Sequence, residues 1–275
     1  MPSVEVAEQA GAERSEDVVL TLPNAVAVLD GATSLRPTSH TGGWYADRLT
    51  AALRPRLAVH SERGHGDTDL ADLLAASISE VTAAHGLRPG RAPSSTVALL
   101  RWNTDTVEAL VLADSPVVVF TDSGEHPVTD DRLENLRSEG QGGYRRRLRS
   151  GGGFGQEHDE ALLAAVDRTG RWRNVEGGFW VAEAEPPAAY RARRATWPRG
   201  SVHAAVLASD GVACGVDDYG SYPNWSALYE HARDSGPQAV LDRVRAAERS
   251  DPDGRRWPRP KRHDDQALAL VRFRP

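Results

Sequence analysis

Four acidic positions sit where apolar strands end or begin. Ala25–Leu29 runs into Asp30-Gly31, Val107–Leu112 into Ala113-Asp114-Ser115, and His203–Ala208 into Ser209-Asp210-Gly211; Asp264-Asp265 leads into Ala267–Phe273. Taken singly, each is an ordinary turn, because aspartate starts Asx turns and glycine accepts a positive φ. Taken together they describe a different object. Carboxylates gathered at the ends of apolar strands repel one another unless a divalent cation neutralises them. With no cysteine or histidine cluster at metal spacing, the donors are oxygens, which suit Mg²⁺ or Mn²⁺ better than Zn²⁺. His263, beside Asp264, reads as a solvated loop histidine, as do His60 and His65. The single cysteine, Cys214, lies in a small-residue segment and reads as a packing residue rather than a nucleophile.

The elements that must position these acids are short. Strands are expected at Val18–Leu22, Ala25–Leu29, Thr96–Arg101, Val107–Leu112, Val117–Thr121, Gly178–Ala182, Val202–Ala208 and Ala267–Phe273, several of them apolar on both faces. Leu70, Leu73, Leu74, Ile78 and Val81 recur at helical spacing within Asp69–His85, with Thr68 or Asp67 as the expected cap and Gly86 as the stop. Tyr45–Val59 is also helical in period, and Pro55 should kink it or end it early. Glu157–Arg168, Asn224–Ala232 and Gln238–Arg249 are the later helices. Consecutive strands with little room for crossovers imply antiparallel hairpins and an α+β order. Gly140–Gly155, rich in glycine and arginine, reads as a surface loop. No repeat or linker divides the chain, so residues 1–275 are expected to form one domain.

Composition narrows the function. The 275 residues carry 33 basic and 39 acidic groups, a formal charge of −6, which argues against a phosphate-backbone binder and hence against nucleic acid as partner. Lys261 is the only lysine. No apolar run is long enough to cross a bilayer, so no membrane partner is expected. The start, MPSVEVAEQAGAERSED, lacks a basic and then apolar secretory pattern, and one cysteine makes no demand on an oxidising compartment; the expected location is cytoplasmic.

The order Ser15-Glu16-Asp17, Val28-Leu29-Asp30-Gly31, Ser95-Thr96, Leu112-Ala113-Asp114-Ser115, Ala208-Ser209-Asp210-Gly211 and Asp264-Asp265, from about residue 11 to the end, resembles the metal-dependent serine/threonine protein phosphatases of type 2C. The resemblance implies a four-layer αββα sandwich of two antiparallel sheets. It implies two or more Mg²⁺ or Mn²⁺ ions, with Asp30 bridging, the Gly31 carbonyl on one ion, and Asp210 and Asp264 on another. Glu16 and Asp17 would hold waters or orient ligands, and Asp114 would support the site from outside. A variable flap, about residues 122–200, would flank the substrate cleft.

The implied activity is hydrolysis of phosphoserine and phosphothreonine in proteins by a metal-activated water. The alternatives are a metal-dependent phosphatase of a small phosphorylated metabolite and a non-catalytic regulatory module of the same fold. This chain departs from the family at the substrate side. Ala12 stands where an arginine usually grips the phosphate, leaving Arg14, or Arg145, Arg146 and Arg147 in the flap, as candidates. Ala32-Thr33-Ser34 replaces the usual glycine-rich continuation and leaves the proton donor unassigned. Asp265 replaces an asparagine, to bind a further cation or face water, and Ala113 replaces a glycine.

Overall fold

The computed structural model of the chain describes residues 2–36, 38–62, 68–139 and 143–273, with side chains described except at 59–62 and 137–139. His65 and Asp67 lie outside these residues, as does the side chain of His60.

Among the described residues, ten strands form two wholly antiparallel five-stranded sheets. The first contains β2 (Asp17–Leu22), β3 (Ala25–Asp30), β4 (Val97–Trp102), β5 (Thr106–Leu112) and β8 (Arg193–Pro198), in that order across the sheet. The second runs β1 (Ser3–Gln9), β10 (Gln266–Arg272), β9 (Val202–Ala208), β6 (Val117–Thr121) and β7 (Gly124–Val128). Val26, Val28, Leu100, Val111, Val119, Leu207 and Val271 fill the space between the sheets. The helices α1 (Gly42–Glu62) and α2 (Leu70–His85) cover the outer face of the first sheet over Leu20, Leu29, Leu99 and Leu110. The outer face of the second is covered by α6 (Asp210–Asp217), α7 (Trp225–Ser235) and α8 (Pro237–Ser250), packed on Val118, Val206, Leu268 and Leu270. Central strands are therefore buried on both faces, which is why β3 and β4 read as continuous apolar runs rather than alternating ones. The expected four-layer α+β sandwich is the observed one.

Some local expectations are corrected. Pro55 does not end α1, which continues through it to Glu62. A proline inside a helix costs about 3 kcal/mol, whereas each fully buried leucine contributes about 1.5–3 kcal/mol. Leu49, Leu53 and Leu57 flank Pro55 at four-residue spacing, all fully buried, so packing outweighs the lost hydrogen bond. The cap of α2 is neither Thr68 nor Asp67: the Asp69 carboxylate accepts the Ala71 N–H at 2.7 Å, while Gly86 ends the helix at φ 60° as expected.

The Gly140–Gly155 stretch is not all loop. Gly143–Arg149 forms α4, because Tyr144 and Leu148, four apart, bury against Leu162 of α5 (Gln156–Gly170). With α3 (Arg132–Glu139), these helices occupy the stretch expected as a flap. The sheets claim both its ends as β7 and β8, so the part outside the sheets is residues 129–192. Gly178–Ala182 forms isolated bridges instead of a strand, since Phe179 pairs with Arg173 and Ala182 with Ser95 and no common ladder develops. No described helix is long and apolar enough to cross a membrane.

Candidate metal centre

Antiparallel pairing decides where the acids meet. Asp17 opens β2 and Asp30 closes β3, and the hairpin register places them opposite each other. In the second sheet Ala208, the last residue of β9, pairs with Leu268 near the start of β10. Asp210, just after β9, and Asp264, just before β10, are thereby delivered to one end. Gln9 pairs with Gln266, so the loop from β1 to β2 passes the same place.

Hydrogen bonds then fix the strand ends. The Asp30 N–H donates to Thr96 Oγ1 at 3.1 Å, the Thr96 N–H donates to the Asp30 carbonyl at 2.9 Å, and the Thr96 and Ser115 hydroxyls lie 2.6 Å apart. The Ser95-Thr96 and Asp114-Ser115 motifs thus hold the backbone of Asp30. Asp265 does not face water. It is buried, its Oδ1 accepting the Gly11 N–H at 2.8 Å and its Oδ2 the Glu16 N–H at 3.1 Å. The backbone approaches here need glycine. A Cβ on Gly31 would lie 2.3 Å from the carbonyl carbon of Gly42 at the start of α1, and one on Gly211 would lie 1.9 Å from the Asp265 carbonyl oxygen.

The segment before β10 is clamped from α8. Arg245 donates to the Asp264 carbonyl at 2.6 Å and pairs with the fully buried Glu248 at 2.6 Å. His263, expected in solvent, lies with Nδ1 3.0 Å from Glu248 Oε2. It is a structural partner of Glu248.

The acids raise each other's proton affinity. Burial, then repulsion from Asp210, Asp264 and Asp265, pushes the Asp17 carboxyl up to about 8, with the Ser209 hydroxyl offsetting part of this. Asp30 is held well above the ordinary carboxylate range by burial and by Asp17, Asp210 and Asp264. Lys261 Nζ lies 2.7 Å from Asp264 Oδ1; burial disfavours its charge, but Asp264, Asp30 and Asp210 more than compensate and raise its pKa.

Does this set suit a hard divalent ion? Asp17 is 5% exposed, and neither carboxylate oxygen has a hydrogen-bond partner of normal geometry. Unpartnered buried oxygens beside mutually repelling carboxylates are what a cation would satisfy, and the donors are of the type that Mg²⁺ and Mn²⁺ take. Among the described residues no three His, Cys, Asp or Glu side chains form a ready cage for one ion. Asp30, Asp210 and Asp264 are near enough to repel one another but are not gathered around one point, so an ion would have to draw them together.

Asp30, Asp114, Asp210 and Asp264 line a single cavity of about 510 Å³. Of the arginines expected at the phosphate, Arg145 lines it too, sharing Glu134 and the Tyr144 hydroxyl. Arg146 is exposed and outside the lining, Arg147 is paired with Glu157, and Arg14 is exposed in the bend between β1 and β2 and outside the lining. Glu16 accepts the Thr33 hydroxyl at 2.8 Å. Ala113 sits at φ 68°, in the left-handed region that favours glycine. Cys214 is half-buried, its Sγ 3.4 Å from the Gly211 carbonyl and its pKa raised by burial, as suits packing. Sequence reading missed Lys261, Arg173 and Trp172 at the cavity. The position of the only lysine, three residues before Asp264, was the available signal.

Comparison with known proteins supplies the family. Solved structures of similar fold include the catalytic domain of the serine/threonine protein phosphatase PstP in complex with two manganese ions (14% identity, TM-score 0.57, covering 98% of this chain and 97% of that one). They also include the PPM phosphatase MsPP of Mycobacterium smegmatis with cacodylate (14%, 0.56, 98% and 97%) and PppA of Pseudomonas aeruginosa (17%, 0.56, 98% and 97%). At these identities the likeness is one of fold. A search of curated proteins finds no match. The sequence profile of protein phosphatase 2C matches residues 17–244, which contain Asp17, Asp30, Asp114 and Asp210 and stop short of Asp264. On this match, over most of its length and through the acids gathered at one end of the sandwich, the chain belongs to the protein phosphatase 2C family.

Proposed function

We propose that the chain is a Mg²⁺- or Mn²⁺-dependent phosphatase that hydrolyses phosphoserine and phosphothreonine. The observation that carries this reading is the meeting of Asp30, Asp210 and Asp264 at one cavity, with the carboxylate of Asp17 buried beside them. Asp30 and the Gly31 carbonyl would hold one ion, and Asp30, Asp210 and Asp264 a second. Such ions, when bound, lower the pKa of water and screen the phosphoryl oxygens. The chain's own task is positional. Thr96 and Ser115 keep Asp30 in place, Asp265 and Arg245 keep Asp264 in place, and the buried strand ends exclude bulk water from behind the carboxylates. A water adds to phosphorus, the ester P–O bond breaks, and the alcohol leaves with a proton, giving inorganic phosphate.

A second reading, a small phosphorylated molecule as substrate, is supported by the partly enclosed cavity and by the absence of a basic residue at position 12. Turnover of 4-nitrophenyl phosphate with Mn²⁺, lost in Asp210→Asn, tests the chemistry common to both. No turnover of any phosphoester at any metal concentration ends both.

A further inference from the structure

The cavity has two unlike halves. Its acidic end is made by strand ends, and its other end by the flap, where Leu133, Leu136, Leu162, Val166, Trp172 and Phe179 line it. Only five large hydrophobic residues of the described chain are left exposed, and two of them, Val166 (40%) and Trp172 (43%), are at this lining. Apolar surface that stays wet on a wall continuous with a polar reaction site is the composition of a ligand pocket. Cationic groups stand among these side chains. Arg145 and Arg173 share the lining, and the buried Nε of Arg173 has no hydrogen-bond partner, its guanidinium lying 3.7 Å from Glu183. The volume, about 510 Å³, lies within the range of about 300–1,000 Å³ typical of sites for small organic ligands.

Resting on the phosphatase reading, we infer that the flap side of the cavity is a subsite for a bulky alkyl or aryl group of the phosphomonoester, so that the preferred substrate carries apolar bulk next to its phosphate. Continuity with the acid cluster fixes which end takes the phosphate. The exposed Trp172 and Val166 surfaces are what the apolar group would cover.

The test compares phenyl phosphate with 4-tert-butylphenyl phosphate, whose leaving groups are nearly equal in acidity, so that chemistry is matched and only bulk differs. With Mn²⁺ the bulkier ester should show kcat/KM at least about tenfold higher, mostly through KM. Trp172→Ala and Val166→Ser, both at exposed positions that should not disturb folding, should shrink that ratio toward one. A parallel pair of phosphothreonine peptides, with leucine or serine beside the phosphorylated residue, identifies the source. A preference seen in the peptides as well, and lost in the same variants, assigns the apolar group to a protein side chain; a preference in the aryl esters alone assigns it to a small molecule. Equal kcat/KM within both pairs overturns the subsite while leaving the phosphatase reading intact. If no phosphoester is hydrolysed, that reading fails and calorimetry decides the subsite separately: 4-tert-butylbenzylphosphonate binding no tighter than benzylphosphonate overturns it, and tighter binding that Trp172→Ala abolishes sustains it.

Discussion

The strand ends and the flap face the same cavity but are held by different forces. At the strand ends the backbone of Asp30 is bonded in both directions to Thr96, Asp265 is buried with two backbone donors, and glycines allow main chain to touch main chain. The flap helices pack on two smaller clusters, Leu133 and Leu136 on Phe179 and Val181, and Tyr144 and Leu148 on Leu162, and they carry exposed ion pairs such as Arg36–Asp167 and Arg145–Glu134. Such pairs are each worth about 0–1 kcal/mol. The difference separates two demands. Groups that hold ions need fixed geometry and sit on the rigid body, whereas groups that accept varied substrates sit on the more weakly held part.

The contrast is sharpest at Asp30. Asp30→Ala removes the carboxylate proposed to bridge the ions, and both phosphoester turnover and Mn²⁺ binding by calorimetry should fall to background; retained Mn²⁺ binding would move the centre elsewhere. Next comes pH. The raised carboxyls of Asp17 and Asp30 mean that the folded chain binds more protons than the unfolded one, so stability without metal should fall as pH rises from about 4 to about 8. The loss is of order several kcal/mol, and it should be smaller in Asp17→Asn, as read by chemical denaturation with a chelator present. A flat profile would show that the acids do not crowd one another.

Asp265→Ala takes the acceptor from the half-buried N–H groups of Gly11 and Glu16 and should cost about 2–4 kcal/mol in the same assay. Arg36→Ala, which cuts one exposed pair between the body and α5, should cost under about 1 kcal/mol. Similar costs for these two would erase the proposed difference between rigid body and flap.

What the sequence disclosed follows from burial. β3, β4, β5, β6, β9 and β10 are legible because each must be apolar to be covered, as is β2, an edge strand whose Val18 and Leu20 pack under α1, and the acids at the strand ends stood out against that background. The strands that were not legible, β1, β7 and β8, lie at sheet edges. There Pro127 can sit in β7 and β8 can stay half-exposed, so neither composition nor alternation announces a strand. The short helix α6 was hidden for another reason: Asp210-Gly211 reads as a turn, and the helix that follows is built of small residues. Position ahead of the site was also illegible for Arg14. The chain bends there, and the side chain is exposed outside the cavity. Asp265 looked like a surplus charge because its partners, Gly11 and Glu16, are about 250 residues away and are backbone groups that carry no sequence signature.

Lys261 gives the molecule one more property. It supplies the only side-chain amine in the sequence, and that amine is tied to Asp264 at the rim of the cavity. An acylating or reductive-methylating reagent therefore has a single internal target, and whatever draws Asp264 away from the ammonium changes how readily that nitrogen reacts. The chain carries a built-in chemical reporter, addressable without engineering a tag, for the state of its own acidic end.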